Sequence, residues 1–512
     1  MRFSSSALLG SALLIGQGLC NSNPENKPRA IPTPRWDTPT VPNDLQAFSI
    51  EFAFFPDYAG NKSHPNEFSK NLLTNFKTLT GVPPTVRVGG DHSYYHPDQK
   101  ENVELIYANP NNDQPDTIYY GPAFFESYHT LGNVKFFHGL NLNQNRSIQI
   151  LQEAAIEACI SIGPQLELFE LGNEWNFAPG EYRTANYSML DYVHEWNQKA
   201  AAVKAAVQKA CPGHFPGFFA PSFALLNFIK SQWSAEDLFK LGYDPHNLIK
   251  ELSFHNYMGV NEPPNNPPVD WDLQRLLMNH TSIQESLATQ IQRAKNLAYL
   301  GHPYVLGELN SIANQGITGE TNTFGDALWL VDFSFWAGAH NIKRLHFHQG
   351  LDYRYASWQP ILGKGQPPTT RPPYYGQIMV ASALGHSHNA RVVNIPLNEE
   401  TESAYAIYDG DRLSKLAIVN MQAFNETTTG TRPSKEYKFE VPGHYRQAKV
   451  ESLIAPGSDA TEEVTFAGIS YDHDLAMGKP VVVDPKEKFV MIEDGVLRVD
   501  VPDSSAVVVS LN

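Results

Sequence analysis

From residue 48 onward the hydrophobic positions fall into a repeating unit. A short run that is apolar on both alternating faces is followed by a polar loop, then by a longer stretch with apolar residues every three or four positions. The runs occupy 48–54, 85–88, 134–139, 166–171, 217–221, 251–257, 304–307 and 344–348. Such runs read as strands buried on both sides, as parallel strands are when helices cover the sheet. Helical spacing fills intervals at 147–160, 189–210, 281–298 and 323–339, with a further helix near 375–384. Eight strands alternating with helices predict an α/β fold, a (β/α)8 TIM barrel over residues 47–388. An open doubly wound sheet is the competing arrangement. No glycine-rich dinucleotide turn follows the first strand, which favours the barrel.

Beyond residue 389 the hydrophobic period shortens to two. Runs at 404–408, 415–419, 436–441, 489–492, 496–501 and 506–511, punctuated by Asp409-Gly410 and Asp494-Gly495, predict an antiparallel β-sandwich domain over 389–512. Residues 21–46, rich in proline and asparagine, form an extended lead-in that can add a strand to this sandwich. Proline clusters at 263–268 and 367–373 mark stiff loops. At the start, Arg2 precedes an apolar stretch at 7–15 that is too short to span a bilayer. Residues 1–20 therefore match a secretory signal peptide, the alternative being a buried N-terminal helix. Five Asn-x-Ser/Thr acceptors, at Asn61, Asn145, Asn186, Asn279 and Asn425, agree with export. The expectation is a secreted, extracellular glycoprotein.

Composition narrows the partners. With 42% hydrophobic and 18% charged residues the chain is globular. Its net charge of −16 disfavours nucleic acid, an anionic membrane and a long polyanionic polymer as partners. The sequence leaves the oligomeric state unknown. Cys20 leaves with the leader or lies at its cut. Cys159 and Cys211 remain, either as a disulfide or as two buried thiols. Neither has a base placed to activate it.

The candidate chemistry lies at the ends of two predicted strands. The fourth ends in Gly172-Asn173-Glu174-Trp175 and the seventh in Gly307-Glu308. Hydrolysing a glycoside with retention needs one acid to protonate the leaving oxygen and one carboxylate to attack the anomeric carbon, about 5 Å apart. Glutamates on strands four and seven can face each other across a barrel mouth. Asn-Glu by itself is common, recurring at Asn66-Glu67, Asn261-Glu262, Asn398-Glu399 and Asn425-Glu426, so the strand rank carries the information. His346 and His348 share one face of the eighth strand. A zinc site would need a third ligand and an open position, so a polar lining of the mouth is the plainer reading. No metal and no cofactor is called for. Trp175, Trp336 and Trp358 are candidates for stacking on sugar rings, although most aromatics in such chains are core.

The pair Gly172-Asn173-Glu174-Trp175 and Gly307-Glu308-Leu309-Asn310-Ser311 resembles the clan A retaining glycosidases, and most closely glycoside hydrolase family 79, the β-glucuronidase and heparanase-like family. The resemblance runs from about residue 48 to the C-terminus. It implies that Glu174 is the acid/base, that Glu308 is the nucleophile, and that Asn173 bonds the sugar 2-hydroxyl. Arg87 can hold the nucleophile ionised or serve as a structural arginine. Tyr257 can donate to the nucleophile or bond another partner. In the family a tyrosine in the loop after strand eight and backbone amides after strand seven bind the uronate carboxylate, which here implies Tyr355, with Tyr353 as its competitor, and the loop at Gln315 and Gly316. The family's loop often reads Tyr-Gly-Gly or Tyr-Gly-Ser, whereas this chain offers one glycine. The implied activity is exo-β-glucuronidase action on terminal β-linked glucuronate or 4-O-methylglucuronate. The alternatives are an endo-acting heparanase-like enzyme, a β-glycosidase for neutral sugars, and an inactive carbohydrate-binding homologue.

Overall fold

The structure is a computed structural model that describes residues 27–90, 92–143, 147–224, 233–261 and 273–512. The expected leader, the Asn145 acceptor and the proline cluster at 263–268 lie outside the described residues.

Eight parallel strands close into a barrel: β1 (Gln46–Glu51), β2 (Thr85–Gly89), β3 (Lys135–Leu140), β4 (Leu166–Leu171), β5 (Phe218–Phe223), β6 (Ile249–Val260), β7 (Tyr304–Ala313) and β8 (Ile342–Gln349). Each pairs with the next in chain order, and β8 returns to β1 through Leu345↔Gln46 to Gln349↔Ile50. That closure excludes the open sheet. Most strand ends shift by a few residues from the sequence reading, and two of these shifts bear on the site. The first run stops at Glu51, because Phe52–Phe54 turn into a buried 3-10 segment. The seventh runs on to Ala313, so Glu308 sits inside a strand and not at its end.

Phe137, Leu168, Phe219 and Val305 pack as an apolar plug, making the barrel a filled core rather than a pore. His346 rests against Phe137 and Phe219 and bonds Thr85 Oγ1 at 3.2 Å. It therefore belongs to the core and not to the mouth lining expected for it. Further towards the strands' C-terminal ends the side chains become charged (Glu51, Arg87, Glu170, Glu308), the end where such barrels carry chemistry.

Helices surround the strands for local reasons. Met189–Ala210 starts at a Ser188/Asp191 capping box and buries Tyr192, Val193, Trp196, Ala200, Val203 and Val207 on one face. A disulfide joins Cys159, in helix Ile148–Ile162, to Cys211 at the end of Met189–Ala210, which decides between the two cysteine alternatives. Among the described residues no helix is long and apolar enough to cross a membrane.

After β2 the chain makes a three-stranded sheet, Ser93–Tyr95, Val103–Ile106 and Thr117–Tyr120, which the hydrophobic pattern did not reveal. Its 107–116 loop reaches the barrel mouth.

The C-terminal sheet runs from Arg29–Ala30 through Ser434–Glu440, Val496–Pro502, Lys488–Glu493, Gln447–Ile454, Ser505–Leu511, Arg412–Asn420 and Glu402–Asp409 to Ala390–Asn394. It doubles back on itself: Phe439, Leu497, Val499 and Val501 share a second core with Leu416, Ile418, Val507 and Val509. The lead-in contributes an edge strand, parallel to its neighbour through Arg29↔Phe439 and Ala30↔Glu440. Barrel and sheet are joined by buried polar contacts. Asp332, on helix Phe324–Ala339, accepts from the Tyr405 hydroxyl of the sheet and lies 2.8 Å from His280 Nδ1.

Candidate active site

Two local devices aim the glutamates. At the end of β4, Gly172 has φ +87°, and a Cβ there would meet the Trp175 ring at 2.6 Å. Glu174 is itself left-handed, at φ 49° and ψ 37°, held by its N–H bonding Ser222 O at 2.9 Å. A non-glycine residue pays about 1–2 kcal/mol for that conformation; here it turns the side chain into the mouth. On β7 the pairing steps from Phe254↔Leu306 to His255↔Glu308. Gly307 is the extra residue of this bulge, and a Cβ on it would lie 2.1 Å from Ser253 Oγ. Bulges commonly re-aim a side chain beside a functional site, and this one presents Glu308.

The result is one oxygen of Glu174, Nδ1 of His255 and one oxygen of Glu308 all within 4.8 Å of each other. Arg87, fully buried, spans the site. Its Nη1 donates to Glu308 Oε2 at 2.7 Å and Ser49 Oγ at 2.7 Å, its Nε to Glu170 Oε2 at 2.8 Å, and its Nη2 to Asn173 Oδ1 at 2.6 Å. Tyr257 donates to Glu308 Oε1 at 2.8 Å. His255 Nδ1 lies 2.7 Å from Glu174 Oε1, and His348 Nδ1 lies 3.9 Å from Glu308 Oε2.

These neighbours separate the two carboxyls. Burial, reinforced by the charge of Glu308, pushes Glu174 up to about 8. Burial would raise Glu308 too, but the fields of His348, His255 and Arg87 and the Tyr257 hydrogen bond outweigh it and hold the carboxyl well below the usual range. Burial lowers His255 to about 4. It works against charge on His348 as well, yet the carboxylates of Glu308 and Glu51 prevail and raise that imidazole. Two carboxyls whose surroundings push them apart can divide acid and nucleophile roles.

Both glutamates open on a cavity of about 410 Å3, a usual size for a small-molecule site. Of the residues singled out by sequence, Asn173, Tyr257, Gln315, Tyr353 and Tyr355 also line it. Arg87 does not line it and acts through Glu308 and Asn173. Gly316 stands back, its carbonyl accepting from Asn261 Nδ2 at 2.7 Å. A Cβ on Gly316 would lie 2.2 Å from Thr321 Oγ1, so the turn has room for glycine alone. Tyr355 packs by Tyr257 and His348, while the buried Tyr353 hydroxyl has no partner among the described residues. Trp358 lies in the core, Trp336 packs on His340, and Trp175 lies under Arg183; none of the three lines this cavity.

Three groups of the site escaped the sequence reading, Glu51, His255 and Gln114; Glu51 and Gln114 line the cavity, as does His348, the histidine read as mouth lining. Glu51 ends β1, with Oε2 accepting from Gln114 Nε2 at 3.2 Å and lying 3.5 Å from His348 Nε2. Its other oxygen is buried without a partner among the described residues. Gly90 makes room for it, since a Cβ there would sit 2.2 Å from that oxygen. Glu51 and His255 stand on strands the sequence did give, so inward alternation near strand ends, the signal that singled out His348, was available for them too. Gln114 lies on the unforeseen insertion and gave none.

The triplet Glu174, His255 and Glu308 has a spacing that a metal ion could bridge. Both oxygens of Glu308 are already engaged by Arg87 and Tyr257, so a cation would have to displace or abut a fixed guanidinium. The donor set fits acid–base chemistry better.

Comparison with known proteins gives a consistent picture. Residues 404–508 match the glycosyl hydrolase family 79 C-terminal beta domain. A β-glucuronidase of Aspergillus niger is 40% identical over 495 residues, covering 91% of this chain and 90% of that protein. A β-glucuronidase of Neurospora crassa is 35% identical over 487 residues, covering 85% and 86%. Among solved structures, a 4-O-α-L-rhamnosyl-β-D-glucuronidase of Fusarium oxysporum superposes with a TM-score of 0.79 at 22% identity, over 94% of this chain and all of that one.

Proposed function

The chain belongs to glycoside hydrolase family 79, and on that premise we propose that it is a secreted, exo-acting, retaining β-glucuronidase. It hydrolyses glycans bearing β-linked glucuronic acid. The observation that carries the mechanism is the separation of at most 4.8 Å between oxygens of Glu174 and Glu308. Retaining enzymes hold their carboxyls about 5–5.5 Å apart, whereas inverting ones leave about 6.5–9.5 Å for a water.

In this reading ionised Glu308 attacks the anomeric carbon while Glu174 gives its proton to the leaving oxygen. Forming the glycosyl ester consumes the charge on Glu308. The upward push on Glu174 then falls, and Glu174 is ready to take a proton from the water that cleaves the ester. Arg87 and Tyr257 keep Glu308 anionic before attack and stabilise it as it leaves. Asn173, fixed by Arg87, faces the sugar beside the acid. No lysine or arginine lines the cavity among the described residues, so the uronate carboxylate falls to His348, Tyr353, Tyr355 and the backbone at Gln315.

Exo action is supported by Gln114, which closes one side of the cavity from the 107–116 loop and bonds Glu51 and Gln315. Secretion is supported by the leader-like first 20 residues, by the exposed acceptors Asn186 and Asn425, and by the disulfide, which suits an oxidising compartment.

The test follows p-nitrophenyl β-glucuronide by proton NMR and activity assay. First-formed β-glucuronate, and its loss in Glu308→Gln, are expected. First-formed α-product, or cleavage of the glucoside in place of the glucuronide, would overturn the reading.

A further inference from the structure

Glu170 is a third glutamate at the barrel mouth, on the same strand as Glu174, yet it does not line the catalytic cavity. It is 1% exposed, and its only hydrogen bond among the described residues comes from Arg87 Nε at 2.8 Å. Its other oxygen and the Asn141 amide nitrogen are buried with no partner among the described residues. Both residues line a separate cavity of about 20 Å3, room for one water. The backbone makes space for the ion pair. Gly89 ends β2, and a Cβ there would lie 2.6 Å from Glu170 Oε2 and 2.7 Å from Arg87 Cζ.

In the free enzyme Arg87 is shared between two carboxylates, Glu170 on Nε and Glu308 on Nη1. Attack on C1 turns Glu308 into a neutral ester, while Glu174, having given up its proton, becomes a carboxylate. Glu174 is then faced by Arg87 from β2, His255 from β6 and His348 from β8, with Glu51 on β1 behind His348 and Glu170 on its own strand. Arg87 and His348 stabilise that carboxylate and so weaken it as a base; Glu170 opposes them. The guanidinium keeps its charge throughout. With Glu308 esterified, Glu170 is the one carboxylate still bonded to Arg87 among the described residues.

We propose that Glu170 is a positioning residue that acts through Arg87 in the second step. By keeping the Arg87 charge engaged at Nε, it leaves Glu174 free to take a proton from the incoming water. The water oxygen bonds C1, the bond from C1 to Glu308 breaks with its electron pair returning to the carboxylate, and the proton stays on Glu174. This role exists only if Glu174 and Glu308 act as assigned above.

The experiment uses 2,4-dinitrophenyl β-glucuronide, whose leaving group departs without a proton, so that hydrolysis of the ester limits turnover. Glu170→Gln keeps an oxygen for Arg87 Nε and removes the charge. General-base assistance is worth about 100- to 10,000-fold. Weakening it should lower kcat at least about tenfold and leave kcat/KM within about threefold. A burst of dinitrophenolate, about one per enzyme, should precede the steady state. Azide, which attacks C1 without a base, should restore most of the lost kcat and yield the glucuronosyl azide. On p-nitrophenyl β-glucuronide the basic limb of kcat/KM should move to lower pH, because a charge that raises Glu174 is gone. Glu170→Asp, with the charge on a shorter arm, should show the same split to a smaller degree, and it carries the test if the glutamine variant does not fold. Unchanged kcat, or equal losses of kcat and kcat/KM with neither burst nor azide response, would overturn the role. No turnover of either glucuronide by the wild type would overturn the glucuronidase reading, and the role with it.

Discussion

Replacing Glu174 by glutamine removes one titration while keeping the side chain's shape and a hydrogen-bonding atom for His255. On folding, this carboxyl rises from 4.5 to about 8, first through burial and then through the charge of Glu308. Below its unfolded value the carboxyl is protonated in both states, so wild type and Glu174→Gln should be equally stable at about pH 4. As pH climbs from 4.5 towards 8 the unfolded chain releases the proton and the folded one retains it, so the wild type loses stability relative to the variant. The full difference corresponds to roughly 5 kcal/mol. At roughly 2 cal/mol/K per residue, a chain of 512 residues unfolds with an entropy of about 1 kcal/mol/K. Calorimetry should therefore find the variant melting about 5 °C higher at pH 8 and level at pH 4. Adding Glu308→Gln to both proteins should shrink the gap, because it removes the second cause. A gap that is flat across this range, or of opposite sign, would mean that Glu174 is ionised at neutrality, and its assignment as the acid would fall.

Tyr257→Phe removes one of the two hydrogen bonds to Glu308, a loss of about 1.5–3 kcal/mol for a charged acceptor. The kcat/KM should drop roughly tenfold to a hundredfold. Because Glu308 must be ionised, the acidic limb of the pH–rate profile should move to higher pH. Replacing Cys159 and Cys211 together by serine opens a 52-residue span and should cost about 4 kcal/mol, read as a lower Tm with unchanged kcat. Asp332→Asn breaks the pair that raises His280 against the opposing effect of burial. That pair's stabilisation is complete below 6.5 and fades as pH rises through the raised value, so the loss, about 3–5 kcal/mol, should be largest in acid and smaller above pH 8.

The barrel was legible because its strands are buried on both faces, leaving unbroken apolar runs between helical stretches. What alternation could not show was the bulge at Gly307. A single extra residue leaves the apolar texture of 304–313 intact while changing which side chain enters the mouth. Glu174 was legible as a residue at a strand end, but not its left-handed backbone, which depends on a carbonyl contributed by Ser222 of the next strand. His255 read as an ordinary strand residue and acquires meaning only when the closed ring brings it against Glu174; His348 read as mouth lining, but not as a neighbour of Glu308. The insertion at 93–120 was opaque because its strands of three or four residues are too short to establish a period.

The parallel edge strand at Arg29–Ala30 has a consequence for synthesis. Its hydrogen-bonding partner, Ser434–Glu440, is made almost last. While the ribosome extends the intervening barrel, the strand at Arg29–Ala30 lacks its partner in the sheet and stays open to proteases and chaperones. Its capture into the sheet then marks the point at which the newborn chain has been finished correctly, so protection of residues 29–30 from cleavage or deuterium exchange would report completed assembly.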